Sequence, residues 1–133
     1  MQVGIRKLAV VFDEVTIYRR VAEHARQLAE RCKEGRVREL TVIVCLKGAA
    51  PYGVHLGAAM SRLEVAPSLR YEYVYKTRYQ GGAGTEHVRT RLEIPIDAVL
   101  GKRVLIVDDI IDDGVTALSV YQDVLARKPI VPP

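Results

Sequence analysis

Asp108, Asp109, Asp112 and Asp113 follow directly on the aliphatic run Val104–Val107, and Gly114 and Thr116 come next. Carboxylates packed this densely repel one another, so a plain solvated turn is a poor reason for them, and a functional cluster is the better one. Asp108 and Asp109 can accept hydrogen bonds from sugar hydroxyls or hold a hard cation such as Mg²⁺. The backbone N–H groups after Asp112 lie in a turn that opens a helical pattern, which makes them donors for a phosphate, and the Thr116 hydroxyl adds another. A sugar phosphate reconciles the two chemistries, with the carboxylates and the turn serving different parts of one ligand.

These residues need elements to hold them. Leu40–Leu46 and Arg103–Val107 are near-continuous apolar runs, the pattern of parallel strands covered on both faces. Asp13 is a candidate helix cap, and Ile17, Val21, Ala25, Leu28, Ala29 and Cys32 recur at helical spacing as far as the Glu34-Gly35-Arg36 break. Pro51 suits the first turn of a second helix running to about Leu63, with Val54, Gly57, Ala58 and Ala59 as a small-residue packing face. Tyr71–Tyr75 alternates as a strand, Thr77–Thr90 reads as a long polar glycine-containing loop, and Leu92–Ile96 as a short strand. Leu100-Gly101-Lys102 turns the chain, and Thr116–Arg127 is a helix offering Leu118, Val120, Tyr121, Val124 and Leu125 for packing. Ile130-Val131 resembles the start of a strand that the neighbouring prolines prevent from pairing regularly. Strand and helix alternate, so the expected class is α/β: a mostly parallel twisted sheet flanked by helices.

Composition narrows the function classes. With 133 residues, 49% hydrophobic and 27% charged, the chain suits one globular domain, residues 1–133. The net charge of +4 is spread among acidic residues, so it fits a phosphorylated small molecule, and Arg19-Arg20 and Arg36-Val37-Arg38 read as solvated faces rather than a nucleic-acid patch. No apolar window of about 18 residues and no signal-peptide pattern is present, which points to a cytoplasmic protein that does not engage a membrane. Cys32 and Cys45 lack metal-ligand spacing and read as buried free thiols. His24 and His55 read as surface or packing residues, and His87 as a loop residue without a ligand role.

The segment VLIVDDIIDDGVT, Val104–Thr116, resembles the phosphoribosyl pyrophosphate motif of the type I phosphoribosyltransferases, and its DDIID pattern is nearest the hypoxanthine-guanine branch. Three further segments agree in order: LKG at Leu46–Gly48 resembles the pyrophosphate loop, often preceded by a non-proline cis peptide; Thr77–Thr90 resembles the loop that closes over the site; DAVLGK, Asp97–Lys102, resembles the linker before the motif strand. The resemblance implies the type I core fold and transfer of 5-phosphoribose from phosphoribosyl pyrophosphate to a purine base, with Mg²⁺ as cofactor and a homo-oligomeric assembly. Asp108 and Asp109 would bind the ribose hydroxyls or the metal, and Asp112 would sit near the purine imidazole nitrogen as general base or charge partner. Asp113, Gly114, Val115 and Thr116 would wrap the 5′-phosphate, Lys47 and Gly48 would face pyrophosphate, and Tyr79 would belong to the closing loop.

Two departures from the family pattern stand out. Asp113 replaces a usual Thr or Ser; pointed at the phosphate it would repel it by roughly 4 kcal/mol per charge pair and nearly abolish binding, whereas turned toward solvent it forgoes about one hydrogen bond to a charged group, roughly 1.5–3 kcal/mol. The family also continues beyond this point with more sheet and a hood over the base, so the chain is expected to be C-terminally truncated relative to it. The alternatives are a non-catalytic binder of phosphoribosyl pyrophosphate or nucleotide, and an inactive family member.

Overall fold

The computed structural model describes residues 9–80, 86–91, 94–111 and 114–127, and the backbone alone at 76–80 and 86–91. In chain order the elements are α1 (Glu14–Glu34), β1 (Glu39–Leu46), α2 (Ala50–Met60), β2 (Ser68–Gln80), β3 (Glu86–Arg91), α3 (Ile96–Val99), β4 (Arg103–Val107) and α4 (Val115–Arg127). The sheet order is β3-β2-β1-β4. β1 pairs in parallel with both β2 and β4, and β3 runs antiparallel to β2.

β1 is the centre because its apolar run is covered on both faces. Successive side chains point to opposite sides of a strand. Val44 meets Gly53 of α2 on one side, and Thr41 donates from its hydroxyl to Ala98 O of α3 on the other, at 2.6 Å. Val42 and Val44 therefore face the helical layer of α1 and α2, while Thr41, Ile43 and Cys45 face that of α3 and α4; all five are buried. Cys32 and Cys45 are buried and form no disulfide, as expected, and burial pushes the Cys32 thiol up.

α1 begins where Asp13 accepts a hydrogen bond from the Thr16 N–H at 2.8 Å, an N-cap that also holds the Asp13 carboxyl below its ordinary value. It ends at Gly35, whose N–H donates to Arg31 O. The buried stripe Val21, Ala25 and Ala29 packs on Leu56 and Met60 of α2. α4 buries Val120 and Val124 against Ile94, Ala98 and Val99, and Arg127 donates to the Ile94 carbonyl, closing the layer.

Five expectations need correction. β4, expected to be covered on both faces, lies at the edge of the described sheet and buries only Val107. α2 ends at Met60 rather than near Leu63, and its buried ridge is Gly53, Leu56 and Met60 at i, i+3 and i+7; Val54 and Ala58 face outward. On α4, Leu118, Tyr121 and Leu125 remain exposed. The Thr77–Thr90 segment is largely strand: β2 continues to Gln80 and pairs with β3, Thr77 opposite Arg89 and Tyr79 opposite His87. Its charged residues alternate with β-branched and aromatic ones, a sequence pattern that an antiparallel ribbon carries as readily as a loop, so polarity alone misleads. Finally, Ile94 and Pro95 are irregular and Ile96 opens α3, because Pro95 occupies the helix N-cap and Ala98 and Val99 are buried on consecutive positions of a short turn; Leu92 and Glu93 lie outside the described residues.

Candidate active site

Parallel pairing brings the ends of β1 and β4 to one level, with Val44 opposite Val107. The chain leaves β1 through a cis Leu46–Lys47 peptide, and Lys47 and Gly48 are exposed on the way into α2. Pro51 sits in the first turn of α2, where a missing N–H costs nothing. Lys47 Nζ lies 5.8 Å from the centroid of the Tyr75 ring.

The chain leaves β4 through Asp108, half-buried, and Asp109, exposed, with the Asp109 N–H donating to Asp108 Oδ1 at 3.0 Å. The Asp109 carboxylate lies over Gly48 so closely that a Cβ there would collide with it. Gly48 is thus a glycine because a side chain from the neighbouring strand end takes up the room. The sequence-expected partners Lys47-Gly48 and Asp108-Asp109 do meet, at the carboxyl ends of adjacent parallel strands, where ligands bind in open α/β sheets.

A cavity of about 720 Å³ opens from this junction. Its floor includes Gly48, Asp108 and Asp109; its wall is formed by Tyr18 of α1 and Tyr52 and His55 of α2. The Tyr18 and His55 rings pack edge to face, centroids 4.9 Å apart. Tyr52 Oη and His24 Nδ1 share a hydrogen bond of 3.0 Å, and burial pushes the Tyr52 phenol up, so it is protonated at neutral pH. His24 and His55 pack against aromatic side chains, as expected, and His55 also lines the cavity. The available signal was the i, i+3 spacing of Tyr52 and His55 just after LKG.

Gly114 has φ 76°, in the left-handed region, and its carbonyl accepts from the Leu118 N–H at 2.9 Å as α4 starts. Val115 is exposed and Thr116 half-buried in the first turn of α4, whose N-terminal end carries the positive end of the helix dipole. Asp112 and Asp113 lie outside the described residues, as do residues 81–85 of the expected closing loop. Tyr79 is placed on β2 rather than in a loop.

The fit to a metal follows from the donor set. Among the described residues no group of three or more His, Cys, Asp or Glu converges as a metal cage. Two adjacent carboxylates are what Mg²⁺ uses when substrate phosphates complete its shell, so Asp108 and Asp109 fit that ion. No helix among the described residues is long and apolar enough to cross a membrane.

A parallel sheet whose strand ends carry a glycine-tight turn and paired carboxylates defines an α/β domain with its ligand site at the sheet's carboxyl edge. The sequence pattern of the phosphoribosyl transferase domain matches residues 11–130, and the chain belongs to that family. It is 30% identical over 129 residues to the hypoxanthine-guanine phosphoribosyltransferase of Aquifex aeolicus, covering 95% of this chain and 67% of that one. It is likewise 30% identical over 120 residues to the hypoxanthine phosphoribosyltransferase of Escherichia coli, covering 90% and 64%. Among solved structures, the hypoxanthine phosphoribosyltransferase of Trypanosoma cruzi in complex with the product IMP superposes with a TM-score of 0.76 at 27% identity, over 94% of this chain and 69% of that one. The chain therefore spans about two thirds of the length of these relatives.

Proposed function

We propose that this chain binds phosphoribosyl pyrophosphate across the β1 and β4 strand ends and transfers its 5-phosphoribose to a purine base of the hypoxanthine or guanine type, releasing pyrophosphate. The observation that carries this reading is the contact of Asp109 with Gly48, which joins the ribose-binding acids to the pyrophosphate turn. The relatives named hypoxanthine phosphoribosyltransferases support the purine.

In this reaction the bond between the ribose anomeric carbon and a pyrophosphate oxygen breaks, and a purine imidazole nitrogen bonds to that carbon. Positive charge develops on the sugar in between, so negative groups held near the ring lower the barrier electrostatically. Asp108 and Asp109 are assigned the hydrogen bonds from the ribose hydroxyls. Lys47 and the Gly48 backbone face the departing pyrophosphate, and the start of α4 with Thr116 receives the 5′-phosphate. Asp112 is assigned the proton leaving the purine nitrogen, and Asp113 and Gly114 the turn around the phosphate. Mg²⁺, when held by Asp108 and Asp109, supplies charge neutralisation for the leaving group. Cys32 and Cys45, reduced and buried, suit a cytoplasmic setting.

Calorimetric titration with phosphoribosyl pyrophosphate, with and without Mg²⁺, tests the reading. Binding that needs Mg²⁺ and disappears in an Asp108→Asn/Asp109→Asn variant is the expected result, followed by base-dependent release of pyrophosphate. A folded chain with no affinity for the ligand overturns it.

A further inference from the structure

We infer that Tyr75 is a positioning residue for Lys47: its ring holds the ammonium on the β2 side of the pyrophosphate turn and so keeps it from closing an ion pair with Asp109 across Gly48. The inference rests on the sugar-phosphate reading above and deepens it, naming what keeps an acid of that site open to hydroxyls and Mg²⁺.

The parallel registers set three chemistries in a row at the carboxyl edge of the sheet. Leu46, the last residue of β1, lies opposite Tyr75 of β2, and Asp109 follows two residues beyond the Val44–Val107 pair on the other flank. Lys47 and Gly48 thus stand between an aromatic ring and a carboxylate. The Asp109 carboxylate fills the space beside Gly48, so the lysine one residue earlier has an acid close at hand and a flexible four-carbon stem with which to reach it. Yet the ammonium turns the other way. Lys47 Nζ lies 5.8 Å from the Tyr75 ring centroid, within the ~6 Å over which a ring face attracts a cation. Among the described residues it pairs with no carboxylate.

The placement of Tyr75 suits this role. Side chains two apart on a strand share a face, so Tyr71, Tyr73 and Tyr75 form one aromatic row. Tyr71 and Tyr73 stack on each other, with 6.5 Å between centroids and 21° between planes, and Tyr71 donates to Gly53 O of α2. Tyr75, third in the row, is 48% exposed beside the turn, where core packing offers a tyrosine little.

The consequence is electrostatic. A Lys47–Asp109 pair would neutralise both members at once: the acid would lose attraction for Mg²⁺ and the ammonium would lose attraction for pyrophosphate. An aromatic ring carries a quadrupole and no net charge, so it holds the lysine while leaving its charge intact. Exposed cation–π contacts and exposed ion pairs are of the same modest order, so the ring shifts the balance severalfold.

Proton NMR of the ligand-free chain gives the first readout. The ε-methylene protons of Lys47 should be shifted upfield by the Tyr75 ring current, remain so in Tyr75→Phe, and return to the ordinary lysine position in Tyr75→Leu. The second readout is calorimetric titration with phosphoribosyl pyrophosphate over a range of Mg²⁺ concentrations. Tyr75→Leu should raise the Mg²⁺ concentration that gives half-maximal binding about two- to fivefold, and Tyr75→Phe should restore it. In a Lys47→Met background the same Tyr75→Leu change should leave the Mg²⁺ requirement alone, because no ammonium remains to pair with Asp109; a merely structural tyrosine would act alike in both backgrounds. If the Lys47 protons show no ring shift, if Tyr75→Leu leaves the Mg²⁺ requirement unchanged, or if it acts alike in both backgrounds, the positioning role is wrong while the sugar-phosphate site stands. If the folded chain binds no phosphoribosyl pyrophosphate at any Mg²⁺ concentration, the reading of the site falls and the inference falls with it.

Discussion

The Asp109 carboxylate occupies the space in which a side chain at Gly48 would stand. Two segments far apart in sequence are thereby locked in one arrangement, and each limits what the other can become. Gly48→Ala should push the carboxylate away from the ribose side of the site. Because both residues are exposed, the unfolding midpoint should hardly move, whereas losing one hydrogen bond to a charged group weakens phosphoribosyl pyrophosphate by about ten- to hundredfold. Calorimetry beside a urea melt separates the two effects.

Gly57 presents the opposite balance. Glycine to alanine inside a helix ordinarily stabilises by roughly 0.5–1 kcal/mol. Here the added methyl meets the hydroxyl of Tyr71, which donates to Gly53 O at 3.1 Å, so Gly57→Ala is expected to destabilise by about 1–3 kcal/mol. In a Tyr71→Phe background the obstructing hydroxyl is gone and the cost should shrink or reverse. Chemical denaturation of the four chains reads this as a coupling.

Thr41 is fully buried in the central strand, and its hydroxyl links β1 to α3 by donating to the Ala98 carbonyl. Thr41→Val keeps the shape and removes the donor. The Ala98 carbonyl is then left without it in an apolar layer, at a cost of roughly 1–3 kcal/mol. A lowered midpoint with an unchanged denaturant slope is the expected signature.

Arg70 bridges Glu72 at 3.0 Å and Asp97 at 2.9 Å, tying β2 to α3. The hydrogen bond from Arg70 holds the Asp97 carboxyl below its ordinary value of 3.8. A carboxyl with a depressed folded value contributes stability above its unfolded value and loses that contribution as pH falls through the folded one. Arg70→Gln should therefore lower stability at neutral pH and flatten its decline below about pH 4, measured as urea midpoints across that range. The effect is exposed to solvent, so added salt diminishes it in the unaltered chain.

Much of this architecture is legible in the residues. The apolar run of β1 matches a strand buried on both faces, whereas the like run of β4 belongs to an edge strand that buries only Val107, and the helical recurrence from Ile17 to Cys32 together with the cap at Asp13 defines α1. Lys47-Gly48 and Asp108-Asp109 could be paired from strand ends alone, because parallel neighbours deliver their exits to the same edge. What could not be read was context. The charged ribbon of β2 and β3 looks like a loop until its antiparallel partner is known, and a four-residue helix after Pro95 carries too short a pattern for any period to register. The contact between the Tyr18 and His55 rings was hidden for a different reason: the two residues belong to separate helices, and only the packing of α1 on α2 brings them together.

The parallel register of Val44 with Val107 also bears on how the chain reaches its native state. Such pairing joins distant stretches and forms slowly, so the acidic turn and the lysine turn stay apart until the sheet is assembled. The ligand then has nothing to bind in the unfolded ensemble, and mass action favours the folded form alone. A saturating sugar phosphate should raise the melting temperature in proportion to the logarithm of its concentration, which makes a simple thermal scan a reporter of site assembly.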